Sequence, residues 1–285
     1  MTRQILFSPS DLHSIQNNSG CVTVDCRFDL QNPDAGRRAY LDSHIPGAVY
    51  AHLEDDLSSP VTDISGRHPL PGADVFAAFL SRSGWRPGKL IVAYDDTGGA
   101  IAARLWWLMK YFGHDCAALL DGGLEHWGES GFGFESGPSD SVSTGSYASE
   151  LNIQPDLVMS TRDVIDALNR RDRVLVDART GERFAGESEP IDVKAGHIPG
   201  AVNYPYALNL NSNQTFRSVE DIRRDYQRFV KNHDVKGMVH MCGSGVTACL
   251  NIFAAELAGI GNSKLYAGSW SEWIRDPSRP ISPKY

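Results

Sequence analysis

The run VHMCGSGVTACLN, residues 239–251, sets a nucleophile, two flexible glycines and two hydroxyls within the six positions 242–247. A cysteine in such a place has three readings. Free cysteines are often inert core residues, but in α/β folds sites form at the carboxyl ends of strands, and Cys242 directly follows the apolar run 238–241. The stretch GSGVTA (243–248) formally satisfies the dinucleotide pattern G-x-G-x-x-A, which also needs an acid about 20 residues further on to hold a ribose. Residues 262–269 read NSKLYAGS, with no acid, so that reading fails. A phosphatase loop of the Cys-x5-Arg type would need an arginine where Ala248 stands, and without it a phosphate loses its bidentate clamp.

What the residue types do suit is an anion held at Cys242. Gly243 and Gly245 free the backbone to curl, so that successive N–H groups point inward as a nest. A helix expected to begin near Val246 adds its positive end. Both features favour thiolate over thiol and make Cys242 the candidate nucleophile. Thr247 either orders this loop or caps the helix. Cys249 does not serve as a redox partner. Six or seven residues of helix separate two α-carbons by roughly 9–10 Å, beyond the roughly 7 Å that a disulfide spans. Cys249 also shares a helical stripe with Val246 and Phe253, so it reads as core.

The elements that position this loop recur along the chain. VTVDCRFDLQN…YLDSHIPGAV (22–49) returns as VLVDARTGERF…VKAGHIPGAV (174–202), pairing Asp25 with Asp177, Arg27 with Arg179 and His44 with His197. Further on, IVAYDDTGGAIAARLWW matches MVHMCGSGVTACLNIFA, which sets Asp95 opposite Cys242. A repeat of this length is a duplicated domain, not a solenoid. Short apolar runs such as 174–176 and 238–241 predict buried parallel strands. Ile101, Leu105, Leu108 and Phe112, like Val246, Leu250, Phe253 and Leu257, recur at the spacing of amphipathic helices. SPSDLHSI and MSTRDVIDAL offer Ser, Thr or Asp as helix N-caps. The expected fold class is α/β: two tandem domains, each a mostly parallel central sheet flanked by helices. The limits read from the sequence are 1–132, a Gly/Ser/Pro-rich linker 133–156, and 157–285. Residues present in both halves, His44 and His197 above all, read as turn and packing residues. The two Asp/Arg pairs read as strand-end ion pairs, and Trp270 and Trp273 as core or cleft-wall aromatics.

Composition narrows the function further. The net charge of −8 without a Lys/Arg cluster argues against nucleic acid as a partner. No apolar run is long enough for a membrane span, and MTRQILFSPSDLHS does not read as a signal peptide. Five irregularly spaced cysteines suit neither a disulfide framework nor a zinc site. A cytoplasmic protein with reduced thiols and no bound metal is expected.

The double HIPGAV, the strand-borne VDAR, the tandem duplication, CGSGVTAC and GSWSEW together closely resemble the two-domain rhodanese-like sulfurtransferases. The resemblance covers nearly the whole chain. It implies that only the second domain is catalytic, the first forming a wall of a cleft. It also implies a ping-pong reaction in which Cys242 takes a sulfur atom as a persulfide and hands it to cyanide or a thiol, a thioredoxin-like protein among the acceptors. No metal or organic cofactor is needed. The family's thiosulfate branch carries basic residues after the cysteine, where this chain has neutral Gly243 and Ser244. The 3-mercaptopyruvate branch carries CGSGVT, as here. The resemblance therefore implies mercaptopyruvate as the small anionic donor, with thiosulfate, or a sulfur carrier without turnover, as the alternatives. Ser244 would supply the hydrogen bond or proton that an expelled enolate needs, while Gly243, Gly245, Val246 and Thr247 cradle the persulfide. Arg183 matches the family arginine that clamps the donor's anionic end, and His68 in GRHPLP matches a histidine near the cleft. The chain departs from the branch at two places: Ile191 stands where a second arginine is expected, with Lys194 nearby, and His52 stands where an aspartate is expected and is carried over as a substrate-binding residue.

Overall fold

The computed structural model describes residues 4–16, 20–139, 147, 150–233 and 237–282. Part of the stretch read as a linker, 140–146 and 148–149, lies outside the described residues. The chain forms two compact units that are not two continuous stretches. The first holds residues up to Ser59, Leu70–Gln154 and Leu210–Phe216; the second holds Pro60–Pro69, Pro155–Asn209 and Arg217 onward. Where the sequence suggested a simple cut, a ten-residue segment of the first repeat, Pro60–Pro69, therefore belongs to the second unit.

In the first unit β1 (Leu6–Phe7), β2 (Cys21–Asp25), β3 (Val49–Tyr50), β4 (Leu90–Tyr94) and β5 (Ala117–Leu120) form a parallel sheet in the order β1-β5-β4-β2-β3. The second unit repeats it with β6 (Val174–Asp177), β7 (Val202–Asn203), β8 (Met238–Met241) and β9 (Ser263–Leu265), in the order β7-β6-β8-β9. The place of β1 is taken there by a single parallel bridge, Val158 to Leu265. Parallel strands need crossovers, which helices supply, and burial on both faces explains the apolar runs of β4 and β8. In β8, Val239 and Met241 enter a core with Leu175, Phe184, Ile198, Tyr266, Trp270 and Trp273, so both tryptophans are core residues.

Helices begin as the caps predicted. Ser8 and Asp11 bond reciprocally at the start of α1 (Pro9–Gln16). Ser160 and Asp163 form a capping box; α2 (Asp34–Asp42), α3 (Ala73–Arg82), α4 (Ala102–Tyr111) and α5 (Gly123–Glu129) lie earlier, and this box opens α6 (Thr161–Arg170). Each cap contributes about 1 kcal/mol. Then come α7 (Gly181–Ala185), α8 (Val219–His233), α9 (Ala248–Leu257) and α10 (Ser269–Trp273). Two expectations need correction. The helix after Cys242 starts at Ala248, not near Val246, because residues 243–247 form a tight loop first. And α4 and α9 are not amphipathic: Ala102–Met109 and Ala248–Ala255 are buried all round, polar Arg104 and Asn251 included.

The shared residues of the two repeats have structural partners. His44 Nδ1 lies 2.6 Å from Tyr40 O with its ring stacked on Tyr40, and His197 Nδ1 lies 2.8 Å from Phe184 O with its ring stacked on Phe184. Arg27 grips Asp25, and Arg179 grips Asp177, each by a buried bidentate pair just past a strand end.

Candidate active site

β8 is flanked on both sides by parallel strands, so its carboxyl end is fixed, and Cys242 is the first residue beyond it. The loop that follows bends back on the sulfur: the Gly245 amide donates to Cys242 Sγ at 3.1 Å. Gly245 has φ +75°, and a β-carbon there would fall 2.4 Å from Ala267 O, so no other residue fits without displacing backbone. Behind the loop, Ser269 Oγ accepts from the Cys242 amide at 3.1 Å and donates to Tyr266 O at 2.9 Å. Trp270 N and Ser271 N donate to the carbonyls of Cys242 and Gly243. Ser269 holds φ +53°, a conformation costing a non-glycine residue roughly 1–3 kcal/mol, which these bonds offset. Val246 is buried, and Thr247 stands at the N-cap of α9 without a side-chain cap bond.

The same place in the first unit shows what the loop is built to hold. Asp95 follows β4 as Cys242 follows β8, and its carboxylate accepts four amides, those of Thr97, Gly99, Ile101 and Ala102, at 2.7–2.9 Å. The repeat thus forms an anion nest, filled there by its own side chain.

Around Cys242 the second unit gathers Ser244, His68, Arg67 and Arg183. His68 Nδ1 and Ser244 Oγ lie 2.7 Å apart, both buried. The irregular segment carrying His68 is seated by close backbone packing, since a β-carbon on Gly66 would meet Gly268 O at 2.5 Å. Arg67 N donates to Ser271 Oγ, and Arg275 reaches Ser65 O. Arg183 on α7 forms a bidentate pair with Glu189 and touches Asp192 at 3.1 Å. Arg67 Nη1 holds the other oxygen of Asp192 at 2.6 Å. Arg179 joins the network through Glu189 at 3.3 Å and lies 4.7 Å from the Trp270 ring centroid. Burial works to raise the carboxyl of Glu189, but hydrogen bonds from Arg183 and from the amides of Asp192 and Ile191 outweigh it and hold the group below its ordinary value. Three arginines thus face three acids (Asp177, Glu189, Asp192), so an anion would be drawn here by directed donors and not by excess charge. Both guanidinia overhang the loop: a β-carbon on Gly243 would lie 3.1 Å from Arg67 Nη2, 3.5 Å from Arg183 Nη2 and 3.7 Å from its Nη1.

The structure thus brings together Cys242, Gly243, Ser244, Gly245, Arg183 and His68, and adds Arg67, Asp192 and Glu189, which the sequence reading missed. Arg67 had one signal, its place beside His68 in GRHPLP. His52 is a correction. It belongs to the first unit, where Nδ1 accepts from Asp55 N at 3.2 Å and Nε2 lies 3.2 Å from Pro33 O. Both ring nitrogens thus close a local loop within that unit, so the ring is already engaged there. The charge of Lys194 helps lower the carboxyl of Asp276. Ile191 is 40% exposed and contributes its amide to Glu189.

No disulfide joins any of the five cysteines. Burial pushes the thiol of Cys21 up to about 11 and that of Cys26 well above its ordinary value, so neither competes as a nucleophile near neutrality. Cys249 is buried, with Sγ 3.3 Å from Gly245 O. Among the described residues no helix is long and apolar enough to cross a membrane.

Two parallel-sheet units with matching loops, a carboxylate in one and a cysteine in the other, define the class: the chain belongs to the rhodanese-like family, whose domain pattern matches residues 8–130 and 160–276. Within it the chain is 42% identical over 286 residues to a Pseudomonas aeruginosa protein named "Probable 3-mercaptopyruvate sulfurtransferase", covering 99% of each. It is 38% identical over 244 residues to the 3-mercaptopyruvate sulfurtransferase of Homo sapiens, covering 83% of this chain and 79% of that one. Among solved structures, the 3-mercaptopyruvate sulfurtransferase from Leishmania major superposes with a TM-score of 0.83 at 31% identity, covering 96% of this chain and 76% of that one.

Proposed function

We propose that this protein is a sulfurtransferase that moves sulfur from 3-mercaptopyruvate through a persulfide on Cys242. The thiolate attacks the donor sulfur, an S–S bond forms, and the C–S bond breaks with its electron pair passing to the pyruvate enolate. The proton leaving the donor thiol ends on the enolate carbon, giving pyruvate, and Ser244, held by His68, relays it or steadies the developing charge. An acceptor thiolate or cyanide then attacks the outer sulfur, the S–S bond breaks, and its electrons return to Cys242 as thiolate. The Gly245 amide, which meets the sulfur at 3.1 Å, helps carry the charge in both states. The scheme requires no metal or organic cofactor, and a thioredoxin-like dithiol would serve as a protein acceptor.

The observation that carries this reading is the hydroxyl of Ser244, fixed by His68 at 2.7 Å two residues past the nucleophile. A departing enolate needs such a hydrogen-bond donor, whereas a departing sulfite dianion would call for fixed positive charge at positions 243 and 244. The names of the three relatives reported above support the same donor. Intact-protein mass after treatment with mercaptopyruvate is expected to show one added sulfur, lost on adding cyanide and absent from Cys242→Ser. Higher kcat/KM with thiosulfate than with mercaptopyruvate would reverse the donor assignment.

A further inference from the structure

We infer that Arg67 supplies the second guanidinium for the donor's carboxylate, a specificity-determining role taken over from the position that Ile191 leaves empty of charge. The inference rests on the proposed donor. Arg67 arrives on the Pro60–Pro69 segment, held against the second unit by the Gly66–Gly268 approach and by its own amide on Ser271. Its guanidinium is only partly committed. Nη1 is bound to Asp192 at 2.6 Å, while Nε is buried without a hydrogen-bond partner and Nη2 overhangs Gly243 at 3.1 Å from a β-carbon built there. Arg183 is committed through Nε and Nη2 to Glu189 and Asp192, which leaves Nη1, also turned toward Gly243.

Asp192 is the element that sets this geometry. Buried, with 4% of its side chain exposed, it binds Arg67 through Oδ1 and Arg183 through Oδ2, so the two guanidinia are pinned side by side over the cysteine loop. Uncommitted donors on two adjacent guanidinia make a receptor for a planar carboxylate. A 2-oxo acid seated there presents its carboxylate to the arginines while its sulfur-bearing carbon is left to reach Cys242. The donors that remain open to such a carboxylate are Nη2 of Arg67 and Nη1 of Arg183, one from each guanidinium.

The test is steady-state kinetics of Arg67→Gln with mercaptopyruvate, beside loading of Cys242 by the disulfane anion, HSS−, which has no carboxylate and leaves as HS−. Loss of a charge-assisted pair is expected to raise KM for mercaptopyruvate about ten- to hundredfold with kcat within a few-fold, and to weaken inhibition by pyruvate in parallel. Loading by HSS− at the wild-type rate shows that the folded loop survives. If Arg67→Gln does not fold, Arg67→Lys is the second variant, since a point charge without the planar fork also raises KM. Ser271→Ala separates binding from anchoring. It removes the hydroxyl that accepts the Arg67 amide and leaves Asp192 and both guanidinia in place, so KM is not expected to rise; a rise matching that of Arg67→Gln would assign Arg67 to anchoring and overturn the inference. Wild-type KM in Arg67→Gln would overturn it too. If the wild-type protein takes no sulfur from mercaptopyruvate while HSS− still loads it, the proposed donor and this inference fall together.

Discussion

Ser244 Oγ and His68 Nδ1 lie 2.7 Å apart although 176 positions separate them in the chain, and both belong to the same compact unit. The hydroxyl is thereby oriented before any donor arrives, which removes reorganisation from the step that expels the enolate. Ser244→Ala and His68→Ala are expected to lower kcat with mercaptopyruvate by roughly 10²–10⁴-fold, the usual worth of positioned proton transfer. The double variant should lose little beyond either single one, because the two act as a unit. Loading of Cys242 by HSS− requires no enolate and should stay within a few-fold of wild type. Equal losses with both donors would place the pair in the architecture of the loop instead.

One thiol is expected to work and its neighbour to be dispensable. Cys242→Ser should abolish sulfur uptake in intact-protein mass. Cys249→Ala should retain it, at a stability loss of about 1 kcal/mol for a small buried side chain. The reason is geometric: Cys249 lies in a helix buried all round, with its sulfur against Gly245 O and away from any route to a donor. Loss of uptake in Cys249→Ala with an unchanged denaturation midpoint would contradict this.

Gly245 should be the least replaceable position of the loop. Its φ of +75° strains any other residue, and a methyl group would collide with Ala267 O at 2.4 Å. Gly245→Ala is expected to cost about 2–4 kcal/mol from backbone strain and overpacking together, read from the urea midpoint. It should also slow persulfide formation, because the amide that meets Sγ would be displaced. Gly243→Ala should be milder in stability, since Gly243 lacks a positive φ and the nearest atom to an added methyl, Arg67 Nη2, lies 3.1 Å away.

Much of this arrangement can be read from the residues alone, and the omissions have physical causes. Strand runs such as VLVD and MVHM, and the cysteine just past the second, announce a buried parallel sheet with a site at its carboxyl edge. The duplication exposes Asp95 as the partner position of Cys242. Arg67 was illegible because its segment has neither helical nor strand periodicity, and its seat depends on Gly66 meeting Gly268 from the far end of the chain. Asp192 and Glu189 lie in a loop whose acids look like solvated charge until the arginines around them are placed. His52 misled for the opposite reason: its sequence position matched a site residue, while Asp55 and Pro33 hold its ring locally. The burial of α4 and α9 on all faces escaped the periodicity because alanines and a buried arginine and asparagine occupy the faces between the large apolar residues.

His240, two residues before the nucleophile on the opposite face of β8 from Val239 and Met241, sets an acid limit. Burial holds its imidazole down to about 3, against 6.5 when unfolded. The unfolded chain therefore binds this proton first as pH falls. The contribution to stability is complete above pH about 6.5 and is lost progressively below it, at up to about 1.4 kcal/mol per pH unit until the folded group itself titrates. Glu189, Asp163 and Asp11, all held below their ordinary values, add their own losses only near and below the usual carboxylate range. Between pH 6.5 and about 5 the slope should thus belong to His240, with a smaller share from His114, whose imidazole burial also lowers. His240→Phe is expected to flatten the dependence of the urea midpoint on pH across that window and leave the steeper fall at lower pH in place. An unchanged slope in the variant would show that another group drives the loss.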